Sequence, residues 1–163
     1  MLTIILDNIR SKHNVGAIFR TADAVGVLEV VLCGTTPQPR DRFGRPVGEI
    51  HKTALGAELT VPYSYHTSTI SVVRDLQQAG VSVVAVEQTA TARDLLTISS
   101  DNLPNPIALV FGHEVDGVSA EVLAVVDDIF ALPMYGAKES LNVSVAVGVV
   151  LYLYRSKVLA PPE

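Results

Sequence analysis

Five short runs of this chain carry almost no polar residue: Leu2 to Leu6, Glu29 to Cys33, Val81 to Val86, Ile107 to Phe111 and Asp128 to Leu132. A strand with one wet face alternates apolar and polar residues, whereas a strand covered on both faces reads as a near-continuous apolar run. Ile107-Ala-Leu-Val-Phe111 is the clearest case. The segments between the runs change to a helical period. Val15 to Val25 reads as a helix capped by Asn14 and stopped by Gly26, and Ser68 to Ala79 as one ended by Gly80. Ser119 to Val126 reads as a helix capped by Ser119, and Leu141 to Lys157 as a long closing helix. Between Cys33 and Ser68 lies a turn-rich loop with Pro37, Pro39, Gly44, Pro46 and Gly48, then a helical turn near Lys52 to Ala57 and a brief strand at Leu59 to Val61. Asp94 to Ile98 fits either period, and Asn102 to Pro106 is a loop. This alternation predicts an α/β fold with a mostly parallel sheet flanked by helices. The charged fraction of 18% agrees, since ordinary domains carry about 25% and little solvated surface is left for a chain whose strands are doubly covered. At 163 residues one domain is expected, read as residues 1–157 with a short tail at 158–163.

Several function classes are excluded early. The uncharged stretch Ser140 to Tyr154 is 15 residues long and contains Asn142 and Ser144, short of the roughly 20 apolar residues of a membrane span. The apolar start has no basic region before it and stops at Asp7, so no secretory signal is read and a cytoplasmic protein is expected. Cys33 is alone, which leaves no internal disulfide and no cysteine cluster for a metal. No G-x-G-x-x-G follows a strand and no G-x-x-x-x-G-K-[ST] occurs, so the usual phosphate cradles are missing. His113-Glu114 lacks the second histidine of a zinc protease, and the four histidines do not cluster; no metal is expected. Gly117-Val118-Ser119 lacks the second glycine of a nucleophile elbow.

The net charge of −5 divides unevenly. Residues 1–52 hold seven Lys/Arg and five Asp/Glu, or +2, while residues 53–163 hold five and twelve, or −7. Arg10, Lys12, Arg20, Arg40, Arg42, Arg45 and Lys52, with His13 and His51, can therefore form a phosphate-binding face on an acidic protein.

Three polar constellations stand where a strand ends or a helix begins, the place where open α/β sheets bind ligands. They are Asn14-Val-Gly16-Ala-Ile-Phe-Arg20-Thr21, then Phe111-Gly112-His113-Glu114, then Leu132-Pro-Met134-Tyr-Gly136 followed by Ser140-Leu141-Asn142-Val-Ser144. Polar residues opening an apolar helix cost burial energy unless hydrogen-bonded, so a ligand or a tight chain crossing belongs near Asn142. Capping alone explains Ser140 better than Asn142.

In this order the three constellations closely resemble the motifs of the SpoU (TrmH-type) family of the SPOUT superfamily of RNA methyltransferases, from about residue 3 to residue 155. The resemblance implies transfer of a methyl group from S-adenosylmethionine to a ribose 2′-hydroxyl of transfer or ribosomal RNA, a homodimer, and a C-terminal deep trefoil knot. It places Arg20, Glu114, Ser140 and Asn142 in the catalytic set, and Val86, Glu87, Gln88, Gly112, Leu132, Met134, Ser140 and Leu141 around the cofactor. Asn14, with Arg10, Lys12, Arg20, Arg40, Arg42, Arg45 and Lys52, is expected to meet RNA. A guanidinium stays protonated in proteins, which argues for Arg20 as a phosphate ligand and alkoxide stabiliser rather than a base. Many relatives carry an extra RNA-binding domain or basic extensions; here RNA selection is expected from the dimer surface or a partner protein. Two competing classes are an inactive knotted module that retains RNA or cofactor affinity, and a small-molecule methyltransferase. Retention of the catalytic set speaks against the first, and the basic cluster against the second.

Overall fold

The computed structural model describes residues 1–158. Seven strands, β1 (Leu2–Asp7), β2 (Glu29–Cys33), β3 (Tyr63–His66), β4 (Ser82–Val86), β5 (Arg93–Asp94), β6 (Ile107–Phe111) and β7 (Asp128–Ala131), form one sheet in the order β3-β2-β1-β6-β4-β7-β5. Every neighbouring pair is parallel. Six helices accompany it: α1 (Lys12–Val25), α2 (Gly48–Ala54), α3 (Ala57–Thr60), α4 (Thr69–Gln78), α5 (Ala120–Leu123) and α6 (Val143–Val158).

The apolar runs are continuous because alternate residues enter two different cores. Leu2, Ile4, Leu6, Leu109 and Phe111 pack under α1, α2 and α6, beside Ile18, Phe19, Ile50, Val147 and Leu151. Ile5, Val31, Ala108 and Val110 point the other way, toward Val72, Val73 and Val122 of α4 and α5. β6 lies at the centre of the sheet with all five residues buried.

Local expectations are corrected at several points. The cap of α1 is Ser11, whose hydroxyl accepts from the Asn14 N–H at 3.2 Å; Asn14 lies inside the first turn and its side chain is free for another contact. The strand expected at Leu59–Val61 is the helical turn α3, in which Leu59 points to solvent and Glu58 is buried instead. The true strand, β3, sits at the sheet edge and reads Tyr-Ser-Tyr-His, too wet for an apolar run. α2 starts four residues before the expected turn, at Gly48, and α5 stops at Leu123. Ser119 makes no side-chain cap; its backbone N–H donates to the Asp7 carboxylate at 3.2 Å. The closing helix begins at Val143, two residues late, and continues through Val158, and the rest of the expected tail lies outside the described residues. Asp94 to Ile98 resolves into the end of the two-residue strand β5 and a turn.

Gly16 sets how closely the first two helices approach. A Cβ there would collide with the Thr53 hydroxyl and the Ile50 carbonyl of α2. Helix propensity alone favours alanine over glycine by up to about 1 kcal/mol. Overpacking costs about 1–3 kcal/mol, so Gly16→Ala is expected to lower the urea midpoint, and a raised midpoint would show that the contact does not set the packing.

Candidate active site at the carboxyl edge of the sheet

With all pairs parallel, the loops after β1, β2, β4, β6 and β7 leave from one edge. β2 and β3 extend the sheet to one side of β1, and later strands build on the other, so the chain changes direction beside β6. Such a switch point is where doubly wound sheets open a ligand crevice. The crevice here lies beyond β4, β6 and β7 and reaches the start of α6.

Its rim is stitched by the strand exits themselves. After β6 the chain turns at Gly112, and His113 and Gly117 exchange backbone hydrogen bonds of 3.0 and 2.9 Å. A Cβ on Gly112 would run into the backbone of Gly117 and Val118. Gly117 itself has φ +71° and lies against Glu87, a conformation open to glycine at little cost. The Glu87 carboxylate accepts from the N–H of Val118 at 2.9 Å and of Gln88 at 2.8 Å. The Gln88 amide donates to the Leu132 carbonyl at 2.6 Å. Val86, Phe111, Leu132, Met134, Leu141 and Val143 supply apolar wall.

Glu114 joins this rim to α1. Its carboxylate accepts from the backbone N–H of Ser11 at 2.9 Å and of Arg10 at 3.2 Å, and from the Asn14 amide at 3.1 Å. Asn14 in turn accepts from the Asn142 amide at 3.3 Å, and Asn142 Oδ1 accepts from both the N–H and the hydroxyl of Ser144, at 2.9 and 2.7 Å. The three expected constellations thus meet in one chain of hydrogen bonds, Glu114 to Asn14 to Asn142. Burial pushes the Glu114 carboxyl up, but the donors from Ser11, Asn14 and Arg10 outweigh it and hold the group below the usual carboxylate range. Glu114 is accordingly an ionised anchor at neutral pH. The crevice lining includes the carboxylates Glu87, Glu114 and Asp116 and no lysine or arginine. Nothing in it suits a phosphate, whereas a cationic ligand without phosphate fits its charge.

The family model described as the SpoU rRNA Methylase family matches residues 1–152. The chain belongs to the SpoU rRNA methylase family. It is 37% identical over 150 residues to the 23S rRNA (guanosine-2'-O-)-methyltransferase RlmB of Neisseria meningitidis serogroup B, covering 92% of this chain and 56% of that protein. The chain therefore spans little more than half the length of such curated relatives. Among solved structures, the AdoMet-bound rRNA methyltransferase from Sinorhizobium meliloti is 30% identical with a TM-score of 0.83, covering 98% of this chain and 57% of that one. A structure described as giving insight into 2-OH methylation of C/U34 on tRNA is 29% identical with a TM-score of 0.74, and 95% of each chain is covered.

Within this SpoU fold, all eight residues expected around the cofactor, Val86, Glu87, Gln88, Gly112, Leu132, Met134, Ser140 and Leu141, line the crevice. Two of them, Glu87 and Gln88, bind other parts of the rim through their side chains. Ser140 is an exposed lining residue, and the capping role lies with Asn142, the reverse of the sequence reading. Arg20 does not line the crevice. It is exposed on α1, six residues past Asn14 and so about 120° around the helix. Arg10 contributes its backbone N–H, Lys12 pairs with Glu49 at 3.0 Å, and Arg42 and Lys52 are exposed. Phe111, His113, Asp116, Gly117 and Val143 also line the crevice without belonging to the expected cofactor set. The signal for Gly117 was its spacing from Gly112, which closes the turn. Among the described residues no group of three or more His, Cys, Asp or Glu could hold a metal ion, and no helix is long and apolar enough to cross a membrane.

Glu114→Gln tests the anchor. A carboxyl whose folded pKa is depressed stabilises the fold above its unfolded value, near the ordinary 4.5, and that contribution is lost as pH falls through the folded pKa. Urea titrations are expected to show the variant less stable by about 1–3 kcal/mol at neutral pH, with the gap closing below pH 4.5. A gap independent of pH would remove the ionised role.

Proposed function

We propose that the chain is an S-adenosylmethionine-dependent RNA methyltransferase acting on a ribose 2′-hydroxyl, with ribosomal RNA the favoured substrate class and the cytoplasm the place of action. The observation that carries this reading is the crevice: glycine-tight, apolar along its walls, acidic in charge and linked by Glu114, Asn14 and Asn142 to the helix that bears Arg20. The names of the RlmB relatives support the substrate class. When bound, the cofactor supplies an activated methyl group on a sulfonium. The residues of this chain hold and align. Leu132, Met134 and Leu141 exclude water, Glu87 and Gln88 keep the rim closed, and Asn142 fixes the start of α6. Alignment of two reactants is worth roughly 7–11 kcal/mol of barrier.

Arg20 serves the second substrate, binding phosphate and stabilising charge that develops on the 2′-oxygen. Its exposure outside its own crevice fits a site completed by a second copy of the chain. On α6, Val145, Val149 and Tyr152 recur at helical spacing and are exposed. α6 crosses α1 near Thr21, the residue after Arg20, where a Cβ on Gly148 would lie 3.9 Å from the threonine methyl. A homodimer through α1 and α6 joins this apolar stripe and Arg20. Light scattering is expected to give twice the mass of one chain at micromolar concentration, and a monomer would remove the composite site. We also infer the family's deep trefoil knot, in one domain over residues 1–157. Its support is the return of α6 onto the segment after β4: the Lys157 ammonium donates to the carbonyls of Leu95, Leu96 and Ile98 at 3.0, 3.0 and 2.7 Å. An experimental chain trace through residues 82–158 that passes through no loop of its own would exclude the knot.

Cofactor titration by calorimetry and single-turnover methylation separate the roles. The wild type is expected to bind S-adenosylmethionine equally well with and without a chelator. Arg20→Ala should keep that binding while losing methyl transfer, and Arg20→Lys should not restore it, because an ammonium lacks the planar fork that reaches two oxygens. Asn142→Ala should weaken cofactor binding indirectly: Asn142 does not itself line the crevice, but it holds Asn14 and caps the start of α6, and losing such a cap costs about 0.5–2 kcal/mol. Near-normal turnover by Arg20→Ala would take it out of the reaction, and absence of cofactor binding by the wild type would overturn the whole reading.

A further inference from the structure

The loop after β2 contains a small hairpin that the crevice does not explain. Arg40 and Pro46 pair across it as an antiparallel bridge, and Gly44, at φ +77°, makes the turn. Asp41 organises the tip: its carboxylate accepts from the N–H of Phe43 at 2.8 Å and of Arg45 at 3.0 Å, and takes the Arg45 guanidinium through Nε at 2.9 Å and a terminal nitrogen at 2.8 Å. The Arg40 guanidinium donates to the Gly44 carbonyl at 2.8 Å. These bonds hold out a phenyl ring. Phe43 is 65% exposed, and the guanidinium carbons of Arg42 and Arg45 lie over it at 4.7 and 5.0 Å from the ring centre. Arg42 makes no hydrogen bond or ion pair among the described residues, so its charge is available. With three arginines against Asp41, the hairpin carries +2 on a chain of net −5.

A large ring held in water by an ordered turn, with flat cations against it, is a poor use of apolar surface unless something covers it. Unpaired nucleobases are the chemistry that matches. They stack on aromatic rings and on guanidinium planes, and their phosphates take the neighbouring charge. A preformed turn also lowers the ordering cost of such binding. The loop that carries the hairpin leaves the same sheet edge as the crevice, from β2, which lies two strand positions and roughly 10 Å across the sheet from β6. It also leads directly into α2, which is paired to the start of α1 through Lys12 and Glu49 at 3.0 Å.

We propose that residues 40–46 form a nucleobase clamp, in which an unpaired base of the RNA stacks on the Phe43 and Arg45 pair while Arg42 neutralises the adjacent phosphate. This rests on the reading of the chain as an RNA methyltransferase and assigns it a single-stranded or looped target. Base pairing in a duplex hides the faces that the clamp needs.

The test is fluorescence anisotropy with a short fluorescein-labelled single-stranded RNA and with the same strand annealed to its complement. Phe43→Ala is expected to weaken single-strand binding roughly 5- to 100-fold, with duplex binding much less affected and Phe43→Trp restoring the loss. Arg42→Ala should lower the slope of log affinity against log salt by about 0.7, a change that Phe43→Ala should not produce. Unchanged single-strand affinity in Phe43→Ala, an equal loss on duplex, or no measurable single-strand binding by the wild type would overturn the clamp. A shift of Phe43→Ala to a monomer in light scattering would overturn it too, by assigning the ring to a protein contact. Cofactor titration of the wild type is read separately. Cofactor binding with an indifferent Phe43 rejects the clamp alone, whereas Phe43-dependent RNA binding without cofactor binding rejects the methyltransferase and leaves the clamp.

Discussion

One carboxylate decides whether the crevice has a floor and a far wall at the same time. Glu114 is carried by the turn after β6, yet its partners are the backbone N–H groups of Ser11, the cap of α1, and of Arg10 just before it, together with the side chain of Asn14. Both N–H groups lie just ahead of α1, where the positive end of the helix also favours an anion, and the anion they receive belongs to the loop that shapes the ligand site. Asn14 is then held against Asn142, which caps α6. The ends of β6, α1 and α6 are fixed relative to one another by this short path, far apart in sequence as they are. That is why three motifs, each of which has an ordinary local explanation, act together: Glu114, Asn14 and Asn142 bond to one another across the ends of β6, α1 and α6, and so place a crevice.

Charge is divided between two surfaces. The crevice holds carboxylates and lacks lysine and arginine, so it is tuned to a ligand with a cationic centre. The positive groups lie on α1, α2 and the hairpin after β2. On the proposed reading, an anionic polymer is kept on the outside while a small cation is accepted inside, and the reaction is set where the two surfaces adjoin. An acidic protein can serve RNA in this way because steering depends on local potential rather than net charge.

Most of the sheet was legible because burial on both faces leaves an unmistakable mark. β2, β4 and β6 contain apolar runs of four or more residues and β1 is interrupted only by Thr3, and their helices are bounded by Gly26 and Gly80. What escaped was decided by tertiary contacts. β3 is an edge strand of Tyr63, Ser64, Tyr65 and His66 with no apolar signal, and α3 inverts expectation by burying Glu58, which pairs with His51 at 2.5 Å, and exposing Leu59. Asn14 looked like a cap because it precedes an apolar helix; Ser11 takes the role, which frees Asn14 for Glu114. The residues that line the crevice were legible through the family resemblance and not through spacing, since they shape it largely through backbone and apolar wall. The separation of Arg20 from its own crevice is a matter of helix phase: six residues past Asn14 it lies about 120° around α1, and only the contacts of Asn14 show which face of the helix meets the crevice rim.

The central claim is that the acidic crevice and the basic face cooperate to methylate a ribose. The most direct measurement follows the label: methyl-tritiated S-adenosylmethionine is incubated with the protein and unmodified ribosomal RNA, and the RNA is hydrolysed in alkali. A methylated 2′-oxygen cannot attack the neighbouring phosphate, so the account predicts label in alkali-resistant dinucleotides that release a 2′-O-methylnucleoside on further digestion. Label recovered on a base, or in mononucleotides after alkali, would contradict it.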